Sequence, residues 1–358
     1  MQLLVSYNGV RLKIIFLGGP GQFEEGTKTY RERYMPEIYN GVKNYKGVET
    51  TKLEVKPFPV IGRAFSIGLS ALLKDFGSYD IIHNFSQDPV FPLKKYGAKL
   101  VTTLHFSPLQ LTYAASNTIK YKLWINLIIR LSYMAAKLSD HIIANSTQTQ
   151  EDVIKSLGVD PDKVSVVDLG VDERYLGKVP KHKNKIFKVG YLGMLMPYKN
   201  LPFAIRAFNE IEDRDIIFEI WGRAETNGYY NQMRRIANPN NRIVFKGYAP
   251  GEQLVDIYDS FDAFVFPTYA ESFGLPILEA QSRGLPVIIY KHAKLAKEVR
   301  KYCFEAEDES DMANIIKNLK DNGYENKTKK NAIAYARGFT WNKSVRNTLL
   351  VYEKLLGS

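Results

Sequence analysis

The chain has 358 residues, of which 45% are hydrophobic and 24% charged, values that exclude a disordered, fibrous or collagen-like protein. Lys and Arg number 49 against 38 Asp and Glu, a formal net charge of +11, which favours an anionic partner such as nucleic acid, a membrane face or a phosphorylated ligand. The single cysteine, Cys303, excludes a disulfide framework and fits a reducing cytoplasm. No segment reaches the about 20 apolar residues that span a bilayer, so we expect a soluble cytoplasmic protein.

Short β-branched runs alternate with helix-length segments along the chain, and each run predicts a buried strand. Four runs lie in the first half: Lys13–Leu17, Asp80–His83, Leu100–Thr103 and His141–Ala144. Five lie in the second half: Lys188–Leu192, Ile216–Ile220, Arg242–Phe245, Ala263–Phe266 and Pro286–Ile289. The alternation predicts an α/β protein with parallel sheets wound on both faces. Nine strands are more than one domain with a single hydrophobic core usually holds. We therefore expect two similar domains, joined by the basic stretch Gly177–Ile186.

One segment of the first half is both basic and aromatic. Between Leu109 and Ser139 there is no acidic residue, while four basic side chains lie among aromatic and aliphatic ones: Lys120, Lys122, Arg130 and Lys137. A helix of this kind is typical of an element that lies on an anionic membrane surface. A core helix with a solvated basic face has the same pattern, so the sequence leaves both interpretations open.

The segment Phe266–Glu279 begins at the end of a predicted strand, passes through a loop and opens a helix with Pro276 in its first turn. Strand end, loop and helix N-terminus form the usual ligand crevice of a parallel sheet. Four successive backbone N–H groups are predicted to face an anion there, with the helix dipole behind them. They belong to Ser272, Phe273, Gly274 and Leu275. Carboxylates would repel a phosphate, so Glu271 and Glu279 are expected to accept hydrogen bonds from sugar or ribose hydroxyls.

The two glutamates, with Phe-Gly-Leu-Pro between them, resemble the paired-glutamate motif of the family 4 retaining glycosyltransferases. The resemblance covers nearly the whole chain. Asp140–Ser146 is similar to the end of that family's first domain, Val189–Lys199 to the start of its second, and Phe339–Trp341 to its tail.

This resemblance implies the GT-B fold, an α/β architecture of two Rossmann-like doubly wound domains that face each other across a cleft. We expect residues 1–175 to form the acceptor-side domain and residues 176–341 to form the domain that binds the nucleotide sugar. The closing helix, residues 342–358, is expected to pack back on the first domain.

The resemblance also implies roles for matching residues of the second domain. Glu279 would hold the nucleotide ribose, Glu271 would contact the donor sugar as the catalytic carboxylate, and Lys199 would bind the diphosphate. Gly193 is expected to contact the donor. The family usually has an arginine after this glycine, where this chain has Met194, so the phosphate clamp is short of one cation. Arg223, at the end of the next predicted strand, is the candidate replacement in the donor site.

The first domain supplies two further expected contacts. Its first strand leads into a glycine-rich loop whose Gly-Pro-Gly-Gln-Phe-Glu is a near miss for the dinucleotide fingerprint, since Glu24 stands at the third glycine. In similar transferases this loop faces the cleft, so Gly19 is expected to contact donor or acceptor. His105, at a strand end, matches a histidine near the transferred sugar and is predicted to be catalytic. His83 and Asp88 are weaker candidates for the acceptor side.

Carboxylates at two-residue spacing, as in metal-dependent transferases, occur at Asp160 and Asp162 and at Asp213 and Asp215. Both pairs are predicted to lie in surface turns away from the paired glutamates. We therefore expect no essential metal, and no cofactor besides the nucleotide-diphosphate sugar that serves as co-substrate.

The prediction that follows is a retaining, metal-independent hexosyltransferase acting on a glycan or lipid-linked acceptor hydroxyl. It is expected in the cytoplasm, and on the inner face of the membrane if residues 109–139 dock there. Two alternatives are a non-catalytic nucleotide-sugar-binding protein and a basic nucleic-acid-binding protein. The second lacks a helix-turn-helix or an aromatic-basic sheet motif, so no nucleic-acid partner is expected.

Overall fold

The computed structural model describes residues 6–7, 10–19, 30–55, 68–72, 74–85, 89–105, 119–180, 185–238 and 240–357. The described strands are Ser6–Tyr7 (β1), Val10–Gly18 (β2), Val48–Glu54 (β3), Ile81–Asn84 (β4), Lys99–Leu104 (β5), His141–Ala144 (β6), Val164–Val166 (β7), Phe187–Leu192 (β8), Ile216–Trp221 (β9), Ile243–Gly247 (β10), Ala263–Phe266 (β11), Val287–Tyr290 (β12) and Cys303–Ala306 (β13). The principal helices are Tyr30–Lys43 (α1), Ile119–Leu138 (α2), Thr147–Leu157 (α3), Leu201–Asn209 (α4), Asn227–Ala237 (α5), Leu254–Asp259 (α6), Leu275–Ser282 (α7), Lys297–Arg300 (α8), Glu309–Asn322 (α9), Asn326–Ala336 (α10) and Trp341–Leu356 (α11).

Described residues up to Gly170 and from Thr340 onward form a first unit. Its sheet has six parallel strands in the order β3-β2-β4-β5-β6-β7, and the short β1 pairs antiparallel with the start of β2. Every residue of β4 and β6 is buried, as expected for central strands of a parallel sheet covered on both faces.

Val171–Phe339 forms a second unit, whose six strands are all parallel in the order β10-β9-β8-β11-β12-β13. After β8 the chain moves outward to β9 and β10, then returns to lay β11 on the other side of β8. The order therefore reverses between β8 and β11, and ligands of open α/β sheets bind at such a point, outside the carboxyl ends of the strands.

All nine predicted strands are present, and four further strands were missed. The missed strands are β1, β3, β7 and β13, and each of them has only one neighbouring strand in its sheet. Every residue of β3 is half-buried or exposed, and most of its side chains are polar. An edge strand needs no continuous apolar run, so its sequence gives a weaker signal than that of a central strand.

The closing helix α11 belongs to the first unit. Thr340 caps its first turn by accepting a hydrogen bond from the Lys343 N–H at 3.3 Å. Ser344 donates to the carbonyl of Asp168 at 2.6 Å, and the hydroxyl of Tyr352 is hydrogen-bonded to Nδ1 of the buried His83 on β4. These contacts fix α11 along its length.

The start of the predicted linker is held on the second unit by the buried Arg283. Its guanidinium forms two 2.7 Å contacts with the carboxylate of Asp259. It also donates to the carbonyls of Tyr175 at 3.3 Å, Gly177 at 3.1 Å and Lys178 at 2.8 Å. Residues 181–184 of the predicted linker lie outside the described residues.

Candidate functional site

Two loops meet at the point where the second sheet reverses its order: one follows β8 and the other follows β11. The carbonyl of Tyr198 in the first loop accepts the Thr268 hydroxyl at 3.0 Å and the Tyr269 N–H at 2.9 Å from the second. The loops are therefore joined through a single backbone oxygen, which brings the predicted residues Lys199 and Glu271 together.

Lys199 and Glu271 form an ion pair in which Nζ donates to Oε1. The two side chains are only 12% and 13% exposed, and the Lys199 ammonium lies 4.8 Å from the ring centroid of Tyr198 and 5.2 Å from that of Phe266. Burial by itself lowers the pKa of Lys199, but the charge and hydrogen bond of Glu271, together with the nearby Tyr198 and Tyr191, outweigh it, so the pKa is raised on balance. Lys199 is thus cationic throughout the physiological range.

The backbone around Glu271 is fixed by a short parallel bridge to the segment after β12. The Glu271 N–H donates to the carbonyl of Lys294 at 3.0 Å, and the Lys294 N–H donates to the carbonyl of Tyr269 at 2.8 Å. Because these bonds hold the loop on both sides of residue 270, the carboxylate of Glu271 projects from a rigid support.

Helix α7 starts at the end of this loop without a side-chain cap. Its N-cap residue, Gly274, has φ +106°, a conformation that L side chains rarely adopt, and Pro276 occupies the second helical position. No acidic side chain lies in the first turn. The N-terminus therefore presents a partial positive charge that an anion can use, and anion binding by the amides of Ser272 to Leu275 stays a prediction. Phe273 is buried, and its ring meets Phe339 at 6.0 Å between centroids.

Glu279 lies one turn into α7 and is almost completely buried. Its Oε2 accepts a hydrogen bond of 2.9 Å from the hydroxyl of Tyr258 on α6, so the two helices are connected beside the site. Tyr258 was not predicted from the sequence. Nothing in its local pattern distinguishes this tyrosine from one that only fills the core, because its partner is 21 residues away in the chain.

The loop after β8 is also paired with the loop after β9. The carbonyl of Leu195 accepts a hydrogen bond from the Glu225 N–H at 3.1 Å, and the Leu195 N–H donates to the carbonyl of Arg223 at 2.9 Å. Gly222 makes this approach feasible, since a Cβ at this position would lie 1.8 Å from the carbonyl oxygen of Gly193. Gly193 itself donates to the carbonyl of Trp221 at 3.0 Å.

Arg223 is the predicted replacement for the cation missing at Met194. Its guanidinium lies 4.4 Å from the ring centroid of Tyr248, which follows β10, and Met194 is exposed. Arg223 thus stands at the carboxyl edge of the second sheet, two strands away from β11, and its part in binding a phosphate stays a prediction.

The predicted residues of the first unit also stand at carboxyl ends of parallel strands. Gly19 follows β2 directly and is buried, and the glycine-rich loop beyond it lies outside the described residues. His105 follows β5, donates from Nε2 to the carbonyl of Phe85 at 3.0 Å and meets the ring of Tyr34 at 4.9 Å between centroids. Asp88 also lies outside the described residues.

His83 has a structural environment. Its two ring nitrogens are hydrogen-bonded to Tyr352 and, at 2.8 Å, to the Thr103 hydroxyl. Burial, with a smaller contribution from the charge of His105, lowers the pKa of His83 to about 3. A neutral histidine with both nitrogens occupied holds α11 against the sheet.

The two carboxylate pairs form local turns, as predicted. Asp160 accepts the N–H of Asp162 at 3.0 Å, and Asp213 accepts the N–H of Asp215 at 2.8 Å and pairs with Lys320. In the part of the chain that the structure describes, no group of three or more His, Cys, Asp and Glu side chains could hold a metal ion. Metal independence stays a prediction.

Sequence comparison gives two family matches that together span residues 4–339. The Glycosyltransferase Family 4 model matches residues 4–175, and the model for Glycosyl transferases group 1 matches residues 174–339. An Escherichia coli UDP-Gal:alpha-D-GlcNAc-diphosphoundecaprenol alpha-1,3-galactosyltransferase is 33% identical over 62% of this chain and 60% of its own length. A Corynebacterium efficiens D-inositol 3-phosphate glycosyltransferase is 27% identical over 60% and 57%. The chain thus spans about three-fifths of these relatives.

Three solved structures share the fold over nearly their whole length. A Rickettsia africae glycosyltransferase has a TM-score of 0.72 at 16% identity, covering 98% of this chain and 99% of its own. A Thermosynechococcus elongatus sucrose-phosphate synthase has a TM-score of 0.76 at 16% identity, covering 97% and 100%. An Anabaena protein crystallised with UDP and glucose has a TM-score of 0.69 at 19% identity, covering 95% and 99%. With its two doubly wound sheets and both family matches, the chain belongs to the family 4 glycosyltransferases and has the GT-B fold.

Proposed function

We propose that this protein is a retaining glycosyltransferase that moves a hexose from a nucleotide-diphosphate sugar to an acceptor hydroxyl. The observation that carries the proposal is the buried Lys199–Glu271 pair beside the uncapped N-terminus of α7. A fixed cation and a helix N-terminus suit a diphosphate, and a fixed carboxylate suits sugar hydroxyls. A structural ion pair alone would not need an uncapped helix end next to it.

Lys199 acts on the departing diphosphate. Negative charge grows on the bridging oxygen as the bond from the sugar carbon breaks, and a preorganised ammonium stabilises that charge without reorganisation. Glu271 keeps Lys199 protonated and in place until the donor arrives, then accepts hydrogen bonds from the sugar. The family resemblance assigns Glu279 to the ribose, where the Tyr258 hydroxyl orients its carboxylate.

The bonds and protons balance within donor and acceptor. The bond between the anomeric carbon and the diphosphate oxygen breaks, and the acceptor oxygen bonds to the same carbon on the face that the nucleotide leaves. The acceptor proton passes to a departing phosphate oxygen, so no protein base is consumed. His105 and Gly19 contribute from the first unit as the family resemblance implies.

A lipid-linked or glycan acceptor is part of the proposal. Its support is the Escherichia coli relative, whose name specifies a diphosphoundecaprenol acceptor and a UDP-galactose donor. A UDP-sugar is accordingly the first donor to test, and the solved Anabaena structure with UDP and glucose points to the same donor class.

The decisive experiment is calorimetric titration of the whole chain with nucleoside diphosphates and their sugars, in EDTA. Saturable binding of one nucleotide series is expected, and Glu279→Gln should weaken it about tenfold or more by removing a charge-assisted hydrogen bond. Glu212→Gln is the matched control, because Glu212 is an exposed glutamate in the loop between α4 and β9. If no nucleotide binds, or if both variants lose the same affinity, the proposed donor site is wrong.

Turnover then separates the enzyme from a non-catalytic nucleotide-sugar-binding protein. Product formation with a model acceptor, followed by NMR of the anomeric proton, should give the donor's own anomeric configuration. Saturable donor binding without transfer to any acceptor or water would favour the non-catalytic alternative. An inverted product would overturn the retaining mechanism while leaving the donor site intact.

A further inference from the structure

Helix α2 exposes an unusual number of large apolar side chains. Of the fifteen large hydrophobic residues that are exposed in the described part of the chain, five lie on this single helix. They are Leu123, Leu127, Tyr133, Met134 and Leu138. Their exposed fractions run from 36% for Tyr133 to 65% for Leu123.

The exposed residues form one continuous face. At 3.6 residues per turn they fall, with Asn126, Arg130 and Lys137, within an arc of about 140°. The buried side chains of the same helix, such as Ile125, Leu131 and Ala135, occupy the opposite arc. The helix therefore rests on the first unit with one face and offers the other, about 22 Å long from Leu123 to Leu138, to its surroundings. We call these eight exposed residues the α2 outer face.

The charge of the α2 outer face has one sign. Arg130 and Lys137 are exposed beside the apolar stripe, and the ammonium of Lys137 lies 4.6 Å from the ring centroid of Tyr133. No carboxylate occurs in the sequence until Asp140, and that residue is paired with Lys95. Apolar side chains flanked by basic ones suit a surface whose interior is apolar and whose outer layer is anionic.

Two other ways to cover this face fit less well. A second copy related by two-fold symmetry would set the patch against itself, and the patch offers no carboxylate to meet Arg130 and Lys137. None of the described helices, α2 included, is long and apolar enough to cross a bilayer. A helix that lies flat at the lipid headgroups uses both its apolar stripe and its charge.

We propose that the α2 outer face docks on an anionic phospholipid surface, with the helix axis parallel to the membrane plane. The leucines and Met134 enter the boundary between headgroups and acyl chains, and Arg130 and Lys137 contact lipid phosphates. This docking does not depend on the donor site of the second unit, so either proposal can fail without the other.

Co-sedimentation of the whole chain with vesicles tests this docking. Binding to vesicles of phosphatidylcholine with one-third phosphatidylglycerol is expected, with weaker binding to phosphatidylcholine alone and weaker binding in high salt. Arg130→Gln with Lys137→Gln should reduce the partition coefficient by about thirty-fold. Leu127→Asp with Met134→Asp should reduce it by at least about tenfold, since two apolar contacts are lost and two negative charges are added.

Two control variants match these changes. Leu93→Asp alters a leucine of the first unit that is 74% exposed, and Lys155→Gln alters an exposed lysine on α3. Both should bind vesicles like the unchanged chain, and circular dichroism and analytical ultracentrifugation should show folded protein in every case. Equal losses in controls and α2 variants, absent binding, or a dimer that only the α2 variants dissociate would each overturn the proposal.

Discussion

The two parallel sheets each bury polar side chains near the carboxyl ends of central strands, and the two clusters have opposite chemistry. In the second unit, Lys199 and Glu271 keep full charges in a nearly dry setting. In the first unit, His83, Thr103 and Tyr352 form a neutral network, because burial makes a charged histidine too costly. A neutral network suffices to hold a helix. A buried charge pair is a weak source of stability, and this one lies beside the uncapped N-terminus of α7, which is the basis of the proposed donor site.

The largest effect should come from breaking the charged cluster. Glu271→Gln leaves Lys199 buried beside a neutral amide, and we expect turnover to fall about 10²–10³-fold through lost transition-state stabilisation. The free energy of unfolding should fall by about 3 kcal/mol, as for other broken buried pairs. Steady-state kinetics and urea unfolding measure the two quantities.

A double variant sharpens the result. Lys199→Met combined with Glu271→Gln removes both charges, so most of the lost stability should return while turnover stays low. If the double variant regains activity, or if Glu271→Gln turns over like the unchanged protein, the Lys199–Glu271 pair has only a structural role. It would then resemble the His83 network of the first unit.

The next largest effect should come from disturbing the paired loops after β8 and β9, because the first of them carries Lys199. Gly222→Ala places a Cβ against the carbonyl of Gly193 at a φ of +146°, and we expect a loss of about 3 kcal/mol in stability. Donor affinity should fall with it, because the loops after β8 and β9 separate. Gly251→Ala, where a Cβ meets open space, is the control in thermal unfolding. Equal melting temperatures would contradict the close approach.

The neutral network around His83 should make the free energy of unfolding depend on pH. Since the pKa of His83 falls from 6.5 unfolded to about 3 folded, the unfolded chain binds a proton below pH 6.5 that the folded chain refuses. Stability is therefore lost as the pH drops from about 6.5 towards 3, by about 2 kcal/mol at pH 5. His83→Asn should remove this part of the pH dependence in urea unfolding at pH 7 and pH 5. The exposed His292→Asn should leave it unchanged.

The smallest effect on affinity is expected from Arg223 and Met194, at the carboxyl edge of the second sheet. Arg223→Gln should weaken diphosphate binding by about fivefold, the contribution of one partly solvated cation, and Met194→Arg should strengthen it by a similar factor. Arg214→Gln, an exposed arginine in the turn before β9, controls for net charge in the same titrations. If Arg223→Gln binds diphosphate as tightly as the unchanged chain, Arg223 does not contact the phosphates.

The sequence was most informative where local pattern and burial coincide. Apolar runs identified every central strand, and Pro276 predicted where α7 begins. The pairing of Lys199 with Glu271 was not predicted, because 72 residues separate them and only the reversal of strand order brings them together. Tyr258 and the role of His83 were missed for the same reason: hydrogen bonds between distant elements leave no spacing to recognise.

The Tyr198 carbonyl joins the loops after β8 and β11, and this has a consequence for the mutations that the site tolerates. A backbone oxygen is present whatever side chain residue 198 carries, so exchange at this position leaves the junction intact. Thr268 has no such freedom, since its hydroxyl is one of the two donors. Substitution of residue 198 can therefore alter the aromatic contact of the Lys199 ammonium while the junction beneath persists, whereas loss of the Thr268 hydroxyl removes one of the two hydrogen bonds that form it.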